Sequence, residues 1–195
     1  MDKSQLKIAL VSLQKDAEKE PPLGLVYLAT YLRDVVGLEQ KNIRIFDRNY
    51  FDIEKEISLF KPHIVGITSM AIDYEKATQF ASNLKQKNNP PIILGGVHIS
   101  TLPESFRKCF DIGVIGEGEK TFEELIKLYL KKEEFQNKDL TKVKSIVYFT
   151  DDKIKKTKLR VPLELDSLPL PDFDFVHKNY FYFLYPNLNF LYYLL

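Results

Sequence analysis

Short apolar runs separated by amphipathic stretches follow one another along most of this chain, which is the pattern of strands buried on both faces and joined by crossover helices. Lys7 to Leu13 (KIALVSL) reads as a first strand. Leu23 to Val36 reads as a helix with Leu25, Leu28, Ala29 and Leu32 on its inner face, stopped by Gly37. Ile43 to Phe46 is a second strand and Ile53 to Phe60 a short helix. His63 to Thr68, entered through Pro62, is a third strand rich in β-branched residues. Asp73 is placed to cap a helix over Tyr74 to Lys87, which Asn88-Asn89-Pro90-Pro91 ends. A fourth strand, Ile92 to Leu94, closes on Gly95-Gly96, and a helix around Pro103 to Cys109 leads to a fifth, Ile112 to Ile115. Gly116-Glu117-Gly118-Glu119 then turns into a strongly amphipathic helix, Thr121 to Lys132.

Beyond that helix the rhythm changes. Ser145 to Thr150 and Lys153 to Leu159 read as two strands about an Asp151-Asp152 turn, and Val161 to Phe175, with three prolines and no helical period, as an extended linker. The expected fold class is therefore α/β. Residues 1–135 form a doubly wound parallel five-stranded sheet of Rossmann-like or flavodoxin-like type, residues 136–160 a C-terminal β-hairpin appendage, and residues 161–195 a linker and aromatic tail.

Composition narrows the partners. A chain of 195 residues, 45% hydrophobic, suits one domain with a substantial core. Lys plus Arg number 28 against 27 for Asp plus Glu, so no net field recruits nucleic acid or an anionic membrane. The single cysteine, Cys109, excludes an intrachain disulfide and any multi-cysteine zinc or iron-sulfur site built from these residues alone, and it fits a reducing, cytoplasmic setting. Met1 to Lys7 lacks the basic and apolar regions of a signal peptide. No stretch reaches the roughly 18 apolar residues of a membrane span, the aromatic run Phe181 to Leu195 coming nearest.

In an open parallel sheet, ligands bind beyond the carboxyl ends of the strands, where the strand order reverses. That rule selects the loops Ser12 to Gly24, Asp47 to Tyr50, Thr68-Ser69-Met70, Gly95-Gly96-Val97-His98 and Gly116-Glu117-Gly118-Glu119. Gly95-Gly96 is either a tight turn or a place where a ligand meets the backbone closely. His98 is open to three roles: metal ligand, hydrogen-bond donor or ordinary loop residue. The two carboxylates in Gly116 to Glu119 argue against polyphosphate; helix capping is their alternative reading, and it suits Glu119 better than Glu117. Thr68-Ser69-Met70 offers two hydroxyls and an adaptable thioether. No GxGxxG follows the first strand, no GxxxxGK[ST] occurs and no serine sits in a GxSxG elbow, so dinucleotide, nucleoside triphosphate and serine-hydrolase chemistry recede.

Five elements in order, PPLGLVYLATYLR (Pro21 to Arg33), PHIVGITSM (Pro62 to Met70), ILGGVHIS (Ile93 to Ser100), VIGEGEKTFEEL (Val114 to Leu125) and LDSLPLPDFD (Leu165 to Asp174), resemble the N-terminal cobalamin (vitamin B12)-binding domain of cobalamin-dependent radical S-adenosylmethionine enzymes. The resemblance implies a cobalamin-binding module of a radical S-adenosylmethionine-type enzyme, with methyl transfer or related radical chemistry in a full-length parent. The cofactor residues it implies are Ser12, Leu13, Thr68, Ser69, Met70, Gly95, Gly96, Val97, His98, Gly116, Glu117 and Gly118. Gly95-Gly96 would line the channel for the nucleotide tail, Thr68 and Ser69 would face the corrin, and Gly116 to Gly118 would flank the cleft. Cobalamin-dependent mutases carry DxHxxG after the first strand, whereas here the stretch reads Leu13-Gln14-Lys15-Asp16-Ala17-Glu18, so no histidine ligand to cobalt is expected. The family's CxxxCxxC motif, which binds a [4Fe–4S] cluster and S-adenosylmethionine, is absent. The module is therefore expected to be inactive alone and to serve a radical S-adenosylmethionine domain in cis or in trans, its aromatic tail free to self-associate. The competing expectation is a scaffold domain of the same fold with an empty pocket. A phosphoacceptor domain ranks below both, because Asp47 and Thr68 lack the acidic cluster and paired lysine it needs.

Overall fold

A computed structural model describes residues 1–14, 20–87 and 90–180. The chain forms β1 (Ile8–Ser12), α1 (Leu23–Asp34), β2 (Ile43–Asp47), α2 (Ile53–Phe60), β3 (Ile64–Thr68), α3 (Tyr74–Lys87), β4 (Ile92–Gly95), α4 (Val97–Thr101), β5 (Ile112–Val114), α5 (Glu119–Lys132), α6 (Asn137–Leu140), β6 (Ile146–Thr150) and β7 (Lys153–Lys156). The sheet order is β2-β1-β3-β4-β5-β6-β7. Strands β1 to β5 are parallel, while β6 and β7 run antiparallel.

The chain steps outward from β1 to β2, then back past β1 to β3. Right-handed crossovers in opposite directions must lie on opposite faces. Accordingly α1 and α5 cover one face around Leu10, Ile64, Ile93 and Ile112, and α2, α3 and α4 the other around Ala9, Val65, Ile67 and Leu94. Every residue of β1 is buried, as expected of a strand sandwiched between two helical layers. The reversal of strand order falls between β1 and β3. Register places Asp47, Ser12, Thr68 and Gly95 in one transverse row at the carboxyl edge.

The α/β fold with its five parallel strands is the one expected. The hairpin is not a separate unit, however: β6 pairs with β5 and extends the same sheet to seven strands. The helix expected around Pro103 to Cys109 is a correction. Helix starts directly after Gly96 as α4 and ends before Pro103, followed by a single 3-10 turn over Pro103–Ser105. Proline disfavours helical backbone in the residue before it, and Leu102 sits at φ −128° and ψ 65°.

The Pro-rich segment after β7 is extended apart from two short turns, and it docks on the protein. Asp172 accepts from the Arg33 guanidinium, and its N–H donates to Thr30 Oγ1 at 2.9 Å. Phe175, Val176 and Tyr180 join the α1 and α5 core, where Tyr180 donates its hydroxyl to Asp47 Oδ2 at 2.6 Å. A strap thus leaves β7 at one edge of the sheet and ends at β2 on the other. The expected Asn88-Asn89 turn, the loop over 15–19 and the aromatic run Phe181 to Leu195 lie outside the described residues. Among the described residues, no helix is long and apolar enough to cross a membrane.

Candidate functional site

The N-termini of α1 and α5 diverge over the carboxyl edge and leave a cavity of about 240 Å³ between them. Its floor is Leu10, Gly66, Ile67 and Ile93, and its walls are Gly24, Leu25 and Leu28 of α1 and Gly118, Glu119 and Phe122 of α5. The rim is formed by Thr68, Gly95, Gly96, Gly116 and Glu117. Glycine is what makes the opening. A Cβ added at Gly24, Gly116 or Gly118 would meet no atom within 4 Å, and one at Gly95 only the Ile67 carbonyl oxygen at 4.0 Å. Side chains at Gly24, Gly95 and Gly118 would extend into open space, while Gly116, at φ +79°, also requires glycine for its backbone.

Gly96 has a different reason to be glycine. Its φ is +96°, and a Cβ there would lie 2.6 Å from the Ser69 carbonyl oxygen and 2.8 Å from Thr68 Oγ1. The β3–α3 and β4–α4 loops are pressed together at this point, bonded by Ser69 N–H to Gly95 O at 3.0 Å and His98 N–H to Ser69 O at 3.1 Å. Of the two expected roles of the glycine pair, Gly96 serves the tight turn and Gly95 opens to the cavity.

Among the other candidates, Ser12 and Leu13 are buried, with Leu13 in the core on the α2 and α3 face. Ser69 is buried and donates to Asp73 Oδ1 at 2.8 Å, and the same oxygen accepts from Met70 N–H at 2.7 Å. The Asp73 carboxylate is therefore turned back onto the β3 loop. Met70 and Val97, in the loops after β3 and β4, are exposed, as are Leu23, Ile72 and Leu102. His98 points away from the cavity. Its ring stacks on Tyr74 at 3.8 Å and its Nε2 lies 2.9 Å from Ser105 Oγ. Ser105 donates its own proton to Leu102 O, so His98 holds its proton on Nε2 and leaves Nδ1 buried without a partner. Burial lowers its pKa, the nearby Arg107 lowers it further, and Asp73 opposes both.

The acidic turn divides in the same way. Glu117 Oε2 accepts from Leu163 N–H at 2.7 Å and so ties the strap to the rim. Glu119 lines the cavity itself; burial raises its pKa, its own amide and that of Gly118 pull it down, and the charge of Glu117 adds to the rise. Gly24, Gly66 and Phe122 were not singled out in the sequence. A glycine in the first turn of a helix and another inside a strand each oppose local propensity, and that is the signal they carried.

A larger cleft, about 1010 Å³, opens at the opposite, amino end of the sheet. Two of its lysines are paired, Lys85 with Asp111 and Lys108 with Asp152, each at 2.6 Å. None of the loops at the carboxyl ends of the parallel strands β1 to β5 reaches it. No group of three or more metal-ligating side chains exists among the described residues.

Comparison with known proteins bears on the family and the fold. The family model described as the B12 binding domain matches residues 10–126. An uncharacterized methyltransferase of Pyrococcus horikoshii is 32% identical over 166 residues, covering 79% of this chain and 34% of the relative. The bacteriochlorophyllide d C-8(2)-methyltransferase of Chlorobaculum tepidum is 26% identical over 163 residues, covering 81% of this chain and 35% of the relative. Among solved structures, the cobalamin-dependent S-adenosylmethionine radical enzyme OxsB with aqua-cobalamin bound superposes with a TM-score of 0.69 at 24% identity, over 87% of this chain and 24% of that one. The chain thus spans about a third of the length of these curated relatives. With the doubly wound sheet, the glycine-walled cavity at its switch point and a family match over most of the parallel region, the chain belongs to the B12-binding domain family.

Proposed function

We propose that this chain holds cobalamin at the carboxyl edge of its sheet, with the nucleotide tail inside the cavity and the corrin outside it. The carrying observation is the cleft whose walls are glycine at Gly24, Gly95, Gly116 and Gly118, where any side chain would take up ligand space. At about 240 Å³ the cavity falls below the roughly 300–1,000 Å³ of sites that enclose a whole small molecule. One flat heterocycle with its sugar therefore enters, and the macrocycle stays on the rim. Aliphatic and phenyl walls suit the flat ring, while Met70 and Val97 present apolar surface to a corrin face.

Bound cobalamin supplies a cobalt able to carry a methyl group or an electron; the protein supplies position and exclusion of water. The three histidines are engaged elsewhere: His63 accepts from Lys7 N–H, His98 stacks on Tyr74 and His177 stacks on Tyr50. This supports a cofactor held through its tail and corrin, without an imidazole on cobalt. Since the chain matches only a third of its relatives, the catalytic domain it serves, of radical S-adenosylmethionine type, lies in a longer polypeptide or a separate chain. The direct test is incubation with hydroxocobalamin followed by gel filtration, under oxidising and under reducing conditions. Co-elution of the corrin absorption band is expected, and protein free of corrin in both conditions overturns the proposal.

A further inference from the structure

We infer that Glu119 selects the complete cofactor by accepting hydrogen bonds from the ribose hydroxyls of its nucleotide. The inference rests on the cobalamin reading above and goes beyond it to a residue and a specificity. Apart from glycine, the cavity is walled by aliphatic and phenyl side chains, and its polar side chains are Thr68, Glu117 and Glu119. Glu117 is committed to the strap through Leu163 N–H, and Thr68 is a neutral hydroxyl at the rim, so Glu119 is the charged acceptor of the three that the strap leaves to a ligand.

Glu119 faces the cavity with nothing but nearby backbone amides, its own and that of Gly118, to receive hydrogen bonds from. It is half-buried with no cation beside it, and burial raises its proton affinity. A ligand group that donates would relieve that deficit. The phosphate of the tail is repelled by a carboxylate, and the corrin amides remain outside with the macrocycle. The ribose hydroxyls are the neutral donors that travel into the cavity with the heterocycle. An acidic side chain also hydrogen-bonds a ribose hydroxyl in dinucleotide-binding folds.

The test is a spectrophotometric titration of the whole chain with hydroxocobalamin and with cobinamide, the corrin that lacks the nucleotide. The wild-type chain binds hydroxocobalamin more tightly. Glu119→Ala weakens hydroxocobalamin by about ten- to a hundredfold, the scale of one hydrogen bond to a charged group, and leaves cobinamide unchanged. Glu119→Gln, which keeps an acceptor oxygen, recovers part of the loss. Equal weakening of both corrins would indicate a structural role and overturn the inference, as would no change in either. Equal wild-type affinity for the two corrins overturns it as well, with the cobalamin reading left standing. Retention of neither corrin by the wild-type chain overturns both.

Discussion

At the scale of single residues, the glycines of the carboxyl edge separate into two kinds that substitution will tell apart. Gly96 combines a φ of +96° with backbone atoms 2.6 Å from any added Cβ, so Gly96→Ala forces the two loops apart. A loss of about 1–3 kcal/mol in denaturant unfolding is expected. Gly118 has an ordinary φ of −88° and open space around it, so Gly118→Leu should unfold at nearly the wild-type denaturant concentration yet lose cobalamin retention. His98 adds a pH dependence. Its folded pKa lies below the unfolded value near 6.5, chiefly through burial, so the unfolded chain takes up the proton first as pH falls. Stability is complete above that value and declines below it. His63, lowered by burial and by Lys7 while Glu133 opposes, acts in the same direction. Melting temperature should fall between pH 7 and 5, and the fall should be shallower in His98→Gln.

At the scale of elements, α1 and α5 set the width of the cavity, and a buried polar contact joins them. Tyr31 on α1 donates to Glu123 Oε2 on α5 at 2.8 Å, and Lys120 and Lys127 pair with the same carboxylate. Burial by itself would raise the pKa of Glu123, but the hydrogen bonds from Lys127, Lys120 and Tyr31 outweigh it and bring the group down to about 2. A depressed carboxylate contributes stability above its unfolded pKa of about 4.3, and that contribution is lost as pH falls toward 2. Glu123→Leu leaves the Tyr31 hydroxyl buried without its acceptor, at a cost of about 1–3 kcal/mol. Adding Tyr31→Phe should return part of that cost, and a double-mutant cycle of melting curves measures the coupling. The acid limb of the stability curve should flatten in both variants that lack Glu123.

The whole molecule is closed by the strap, which binds elements far apart in sequence: Glu117 at the rim, Arg33 and Thr30 on α1, and Asp47 at the end of β2. Tyr180 is its anchor, 1% exposed and hydrogen-bonded to a buried carboxylate. Burial, the Asp47 hydrogen bond and the Asp47 charge together raise its phenol pKa far above the usual value. Tyr180→Ala removes a buried ring and its hydrogen bond, with an expected loss of about 3–5 kcal/mol. Tyr180→Phe removes the hydrogen bond alone and should cost about 1–3 kcal/mol. Chemical denaturation of the two variants separates packing from the hydrogen bond, and equal losses would remove packing as the anchor's main contribution.

Periodicity alone determined the alternation of strands and helices in the parallel region, because strands buried on both faces and helices buried on one leave distinct patterns of apolar residues. The carboxyl-edge loops were legible for the same reason: once the strands are placed, their ends follow. The helix after β4 was misplaced because its start depends on the left-handed turn at Gly96, and that turn is imposed by the β3 loop, far away in sequence. Tertiary structure alone decided that the hairpin joins the sheet, since strand pairing depends on which edge is left open at β5. It also decided that Gly95 faces a cavity while Gly96 closes a turn, and that of two neighbouring glutamates Glu117 fastens the strap while Glu119 lines the cavity. Those assignments depend on where α1 and α5 diverge over the sheet, a distance between segments almost a hundred residues apart that no local pattern encodes.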